Sequence, residues 1–302
     1  PTVCYRKSAV LEAGNYSKDL KIMAEDFELE LRMLKMHGYI YNFPEILLNY
    51  RIHEDQVTFN GGTGGSEKWN KIRNEMIDDM VNNDVTKNLV LITSVINTPN
   101  KPLSYSSIRS VFTRKERFEQ TKKTIKSIKD KIPNNKIIIV ECTDFTKEEK
   151  DYFEKECDYI LNLWDRKELH DNIFGLSKSL GEGTMTIEAL KYIEELKIDF
   201  DYFYKISGRY WLNENFKIEK VDNNVFQKIN NDENNIFTAL YKIDVKTVEK
   251  LLFFLINNIK EMKKCIGYEV LMSQLVKNID KKFVNIIGVS GHITVCGSIM
   301  HK

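Results

Sequence analysis

The chain has 302 residues, with 45 Lys and Arg against 44 Asp and Glu and a formal net charge of +1. That length accommodates two ordinary domains with hydrophobic cores, and the even charge balance lacks the basic stripe a nucleic-acid partner requires. The apolar run from Leu251 to Ile256 falls far short of the roughly eighteen residues of a membrane span, and five scattered cysteines without a C-x-x-C pair fit reduced thiols in a cytosolic protein better than a disulfide framework or a zinc site.

The first residues read as the middle of a domain, so the chain is expected to be a piece of a longer protein. Ser8 to Gly14 predicts a short helix closed by a glycine C-cap. Phe27, Leu31 and Leu34 recur at helical spacing between Ala24 and His37, and Gly38 stops that helix. Tyr39 to Asn42 and Leu47 to Ile52 read as extended. Asn60 to Gly65 (NGGTGG) is a flexible loop; without a G-K-[ST] ending or a preceding buried strand it is no phosphate cradle. Glu67 to Met80 is helical, and the polar stretch from Asn82 to Lys87 reads as a linker between a first block, 1–81, and a second, 88–302.

In the second block the run Leu89 to Ile92 predicts a buried strand, and Lys115 to Lys131 an amphipathic helix. Lys136 to Glu141 reads as strand, Thr146 to Glu156 as a charged helix and Tyr159 to Leu161 as a third strand. Ser179 to Leu196 reads as helix, Tyr202 to Ile206 as strand, and Ile236 to Leu240 as another. Helices follow at Val245 to Ile259 and Tyr268 to Val276, with a last strand at Phe283 to Ile287. The Asn-rich stretch from Asp222 to Asn235 has the composition of a surface loop. Strands alternating with helices define an α/β layered sheet, mostly parallel.

Three segments of the first block stand out: P-T-V-C-Y-R-K-S-A-V-L-E-A-G (Pro1 to Gly14), A-E-D-F-E-L-E-L-R (Ala24 to Arg32) and L-L-N-Y-R-I-H-E-D-Q-V-T (Leu47 to Thr58). Together they resemble the C-terminal half of a family-2 glycosyltransferase of the GT-A fold, over residues 1 to about 59. The resemblance implies Asp26, with Glu25 beside it, as the base that takes the acceptor hydroxyl's proton. It also implies a divalent cation, Mg²⁺ or Mn²⁺, on the leaving diphosphate, with His53 helping to hold it and Arg51 facing phosphate. The N-terminal half of such a domain does not precede these segments, so the first block is expected to be inactive alone. Acidic residues in a first helical turn also oppose the helix dipole, which would account for Glu25 and Asp26 without catalysis.

In the second block a strand ending in small polar residues brings backbone N–H groups to the carboxyl edge of a sheet, where open α/β sheets bind ligands. Arg109, Arg114 and Arg117 follow as phosphate donors. Ser177 to Gly183 (SKSLGEG) opens a helix, and helix N-termini attract anions. Tyr204 to Leu212 (YKISGRYWL) resembles bacterial or viral polysaccharide-type transferases with a K-[IL]-[ST]-G-R-Y segment, over roughly 88–297. Lys205 and Arg209 stand where a GT-A enzyme carries metal carboxylates, so they are expected to bind diphosphate with no metal required. By order along the chain, Glu269 parallels Asp26 and His292 parallels His53. Asp199 and Asp201 spell Asp-x-Asp, yet they precede their strand and read as turn-capping carboxylates.

These readings define an α/β fold with a GT-A-like, Rossmann-like mixed sheet flanked by helices, preceded by a truncated GT-A half. The expected function is glycosyl transfer from a nucleotide sugar to a glycan or glycoconjugate acceptor in surface polysaccharide synthesis, in a cytoplasmic or membrane-peripheral protein. Two other readings stay open for the second block: a non-catalytic carbohydrate-binding or scaffolding module, and a nucleotidyltransferase.

Overall fold

The computed structural model describes residues 3–17, 25–37, 41, 70–77 and 86–302. The chain divides into two compact units, Pro1–Val85 and Thr86–Lys302. In the first, helix α1 (Lys7–Glu12) ends near Gly14, whose φ of +84° is one that glycine adopts without a Cβ clash. Helix α2 (Glu25–His37) places Glu25 and Asp26 in its first turn. Arg32 pairs with Glu28 one turn back, at 2.6 Å, and also donates to the carbonyls of Ala13 and Asn15, tying α2 to the end of α1. A further helical segment, α3 (70–77), carries Arg73, whose guanidinium lies 4.5 Å from the Phe27 ring centroid. The expected strands at 39–42 and 47–52, the loop at 60–65 and most of the linker fall outside the described residues, Tyr41 excepted.

The second unit is built on a strand, a helix and a strand: β1 (Asn88–Ser94), α4 (Arg114–Lys131) and β2 (Asn135–Glu141). Helix α5 (Lys147–Glu156) and strand β3 (Tyr159–Asn162) follow, then α6 (His170–Phe174), α7 (Lys178–Leu196), β4 (Tyr202–Ser207) and β5 (Tyr210–Leu212). Strands β6 (Val225–Phe226), β7 (Lys228–Ile229), β8 (Asp232–Ile236) and β9 (Leu240–Asp244) lead into α8 (Val245–Asn257), α9 (Ile259–Lys263) and α10 (Tyr268–Lys277). The chain closes with β10 (Lys282–Phe283), β11 (Val289–His292) and β12 (Ile299–His301).

The main sheet has seven strands in the order β10-β6-β9-β4-β1-β2-β3. Strands β4, β1, β2 and β3 run parallel, and β9 runs antiparallel to both β4 and β6, which makes the sheet mixed. Every residue of β1 is buried, as a strand covered by helices on both faces requires. Alternate side chains serve different layers. Leu89 and Leu91 pack with α7, α8 and α10, while Val90 and Ile92 pack with Phe118, Ile125 and Ile128 of α4 and Phe153 of α5. A small antiparallel sheet, β12-β11-β5, extends the second layer.

Three expectations are corrected here. The run Ile236 to Leu240 is not one strand: Ile236 ends β8, Leu240 opens β9, and the buried residues 237–239 join them. The Asn-rich stretch is not a loop throughout, since β6 joins the main sheet and β7 and β8 form a hairpin. Asn230 and Asn231 turn that hairpin with φ of 53° and 60°, values that asparagine tolerates better than most residues. The last strand is not Phe283 to Ile287: only Lys282–Phe283 pairs there, and β11 and β12 follow.

Helices α4 and α5 both start with a capping box, Thr113 with Glu116 and Thr146 with Glu149. Arg114 links the two boxes by donating to Glu149 at 2.6 Å. Thr113→Ala and Thr146→Ala should each cost about 1 kcal/mol in urea unfolding. Because Arg114 joins the capped ends, the double variant should miss the sum of the singles by at least about 0.5 kcal/mol.

Candidate functional site

The parallel register sets Thr93 of β1 opposite Ser207 of β4, so both strands end at one level. Beyond β4 the chain turns through Gly208, whose N–H donates to the Thr93 carbonyl at 2.9 Å. The Thr121 hydroxyl donates to the Gly208 carbonyl at 2.9 Å and lies 3.1 Å from the Ser94 hydroxyl. A Cβ on Gly208 would stand 2.9 Å from the Ser94 side chain, so a glycine is needed for this close approach. The turn delivers Arg209 over the end of β1, where its Nε donates to the His292 carbonyl at 3.1 Å.

A pocket opens at this carboxyl edge. Its polar lining includes Thr93, Ser94, Arg117 from α4, Lys178 and Glu182 from the first turns of α7, and Arg209. Its apolar wall includes Leu103, Phe174, Met185 and Ile293. Arg117 is buried and gives Nε and Nη2 to the Val95 carbonyl at 3.3 and 3.2 Å, while its buried Nη1 has no partner among the described residues. Lys178 forms no hydrogen bond or ion pair among the described residues. Burial, and then the charge of Arg209, lower the Arg117 guanidinium to about 10. Burial and then Arg209 likewise push Lys178 below the usual lysine range, while Glu182 and Glu269 oppose that. These are cations crowded together with donors to spare.

Glu182 does not neutralise them fully. It is ion-paired with Lys205, which is wholly buried and also lies 3.3 Å from the Thr238 carbonyl. Burial alone would push the Glu182 carboxyl up, but Lys205, Lys178 and Arg209 outweigh it and hold the group below the usual carboxylate range. Two expectations are therefore corrected. Lys205 is not a diphosphate ligand, because it lies beneath the pocket and is committed to Glu182. Arg114 is not one either, because it is bound to Glu149 and Asp144 between α4 and α5.

The remaining candidates separate. Arg109 lines the pocket, but it donates to the carbonyls of Lys101, Pro102, Phe174 and Gly175, stapling the 98–112 loop to the α6–α7 junction. Glu269 sits half-buried in the first turn of α10, near enough to Lys178 to act on it. Asp26 is exposed and accepts the N–H of Phe27 at 2.7 Å, as a helix-start carboxylate does. Arg51 and His53 lie outside the described residues. Asp199 pairs with Lys87 at 2.6 Å and Asp201 accepts the Lys87 N–H at 2.8 Å, ahead of β4. Among the described residues no group of three or more His, Cys, Asp or Glu is placed to hold a metal ion, and no helix is long and apolar enough to cross a membrane.

Lys178 and Glu182 lie inside the S-K-S-L-G-E-G segment, where attention to the helix N-terminus passed over the side chains. Glu141 was missed altogether. It ends β2 opposite Ser94, fully buried, and accepts the Ile96 N–H at 3.2 Å, the Cys142 N–H at 3.0 Å and the Thr143 hydroxyl at 2.8 Å. Burial pushes its carboxyl up to about 7 despite those donors. A charged residue closing the apolar run IIIV was the available signal.

No family model matches the sequence, and no curated protein matches it. Among solved structures the chain is similar to the CTP:phosphocholine cytidylyltransferase from Streptococcus pneumoniae, at 13% identity and a TM-score of 0.41, over 68% of this chain and 93% of that one. A likeness that slight carries no assignment of activity. That structure is a cytidylyltransferase, and the glycosyltransferase expectation is corrected: nothing found here supports it.

Gly208→Ala should cost about 1 to 3 kcal/mol in urea unfolding, because the added methyl meets Ser94 and Thr121 at packed positions. Glu141 yields a stability test. Its folded pKa of about 7 lies above the unfolded value, so its contribution to stability is full at low pH and is lost as pH rises towards 7. Between pH 5 and pH 8 the protein should lose on the order of 2 kcal/mol more than Glu141→Gln, read from denaturant midpoints at each pH.

Proposed function

We propose that the Thr86–Lys302 unit binds a nucleotide through its phosphates and transfers the nucleotidyl group to a phosphomonoester. The observation that carries this reading is the gathering of Arg117, Lys178 and Arg209, with unused donors, at the carboxyl ends of β1 and β4. Cations that depress one another's pKa gain most from a bound polyanion, and guanidinium groups match phosphate oxygens in pairs. The carboxyl edge of a parallel α/β sheet is also where such folds hold nucleotides.

The absence of a free base from the pocket lining suits this chemistry. A phosphomonoester is largely ionised near neutral pH, its second pKa being about 6. One of its oxygens attacks the α-phosphorus of a nucleoside triphosphate, and the bond from that phosphorus to the bridging oxygen breaks. Pyrophosphate leaves with the electron pair, and no proton has to be removed. Arg117, Lys178 and Arg209 stabilise the charge that spreads over the phosphate oxygens. The wall of Leu103, Phe174, Met185 and Ile293 offers an apolar surface to the base. Fixed cations supply the counter-charge, so binding is expected to persist in EDTA.

Calorimetric titration of the whole chain with CTP, UTP, ATP and GTP, with and without EDTA, tests this. Each of Arg117→Ala, Lys178→Ala and Arg209→Ala should weaken binding about tenfold or more, the loss expected for a charge-assisted hydrogen bond. Pyrophosphate release should appear when a phosphomonoester is added from a panel. Failure of all four nucleotides to bind, or variants that bind as tightly as the unaltered chain, would overturn the reading.

A further inference from the structure

The groups at the end of β1 form a line. The Val95 carbonyl accepts Nε and Nη2 of Arg117, and the N–H of Ile96 donates to both oxygens of Glu141 at 3.2 Å. That carbonyl and that N–H belong to one peptide group. Glu141 and Arg117 therefore grip opposite sides of the same amide plane without touching each other. Both side chains are buried, so solvent screens little of what passes between them. The donor left over on Arg117 is Nη1, buried and unpartnered beside the pocket.

We infer that Glu141 is a positioning residue: acting through the Val95–Ile96 peptide, its carboxylate fixes Arg117 so that Nη1 is presented to a bound phosphate. This rests on the phosphate-binding reading of the pocket. An ionised carboxylate draws on the Ile96 N–H and enriches the Val95 carbonyl, which strengthens the hold on Nε and Nη2. A protonated carboxyl gives up part of that pull, and the guanidinium then has less reason to keep Nη1 in place. Arg117 is the charged group that faces Glu141, with Arg209 acting behind it. Ser94, Thr143 and the Cys142 amide complete its surroundings, and the Cys142 thiol, pushed up to about 12 by burial, stays neutral. The titration of Glu141 near 7 brings the effect within reach of experiment.

The sign of the effect separates positioning from simple electrostatics. Removing a negative charge beside an anion site tightens anion binding if charge alone matters. Removing a positioning group weakens it. Titration of inorganic pyrophosphate into the unaltered chain and into Glu141→Gln, from pH 5.5 to pH 8.5, reads this directly, since the probe's own ionisation is common to both. The expected result is Glu141→Gln binding at least about fivefold more weakly at pH 8.5, with the two within about twofold at pH 5.5, where the Glu141 carboxyl is protonated and as neutral as the glutamine amide. Equal affinity at pH 8.5, tighter binding by Glu141→Gln, or a loss that is the same at every pH would overturn the inference. Thr143→Val, which removes one donor to the carboxylate and keeps its charge, should move the midpoint of the affinity profile to higher pH. An unmoved midpoint would count against Glu141 as the titrating group, and this variant decides the matter if Glu141→Gln does not fold. Pyrophosphate that fails to bind the unaltered chain at any pH removes the proposed function as well; binding that ignores Glu141 removes this inference alone.

Discussion

The in-register parallel pairing of β1 with β2 on one side and β4 on the other is the constraint on which the site depends. It brings Thr93 level with Ser207 and Ser94 level with Glu141. A slip of one residue would send Leu89 and Leu91 into the layer of α4 and α5, and Val90 and Ile92 into that of α7. Since both layers are closely packed, the register is held firmly. The level of the strand ends follows from it, and so do the positions of Gly208, Arg209 and Glu141.

Two glutamates on this edge, Glu141 fully buried and Glu182 partly so, respond in opposite ways. Glu182 meets Lys205, with Lys178 and Arg209 nearby, and its charge is favoured. Glu141 meets neutral donors and a guanidinium on the far side of a peptide group, and its charge is disfavoured. Burial acts on both; the neighbours decide. The pairing of Glu182 with Lys205 is weak evidence for stability, because desolvating both ions offsets much of their attraction. Its effect on the pocket is clearer. With part of the Glu182 charge committed to Lys205, Lys178 and Arg209 stay under-neutralised, and the edge keeps a positive potential.

Much of the second unit was legible in the sequence. Leu89 to Ile92 and Lys136 to Glu141 are apolar runs of strand length, and the threonines ahead of α4 and α5 stand three residues before glutamates, so pattern and capping agree. The S-G-R segment was correctly read as the exit of a strand, since small residues after an apolar run mark a turn. Lys205 was misread because its charge promised exposure. Nothing in its neighbours along the chain reveals that Glu182, on a helix, would meet it beneath the pocket. Arg114 misled for the same reason, its partners being 30 and 35 residues away. The β7–β8 hairpin was hidden by asparagines, which mark loops and tight hairpin turns alike. In the first unit the family resemblance rested partly on residues 47–58, which lie outside the described structure.

The stapling of the 98–112 loop has an evolutionary consequence. Arg109 holds that loop and the α6–α7 junction through four main-chain carbonyls, at Lys101, Pro102, Phe174 and Gly175. Every amino acid supplies such a carbonyl. Lineages are therefore free to exchange the side chains at 101 and 102 while the acceptors persist, so the loop beside the pocket can diversify in composition without losing its attachment. The tolerance is one-sided. It belongs to the residues that accept and not to the arginine that donates, so drift in this region should spread around a single fixed letter.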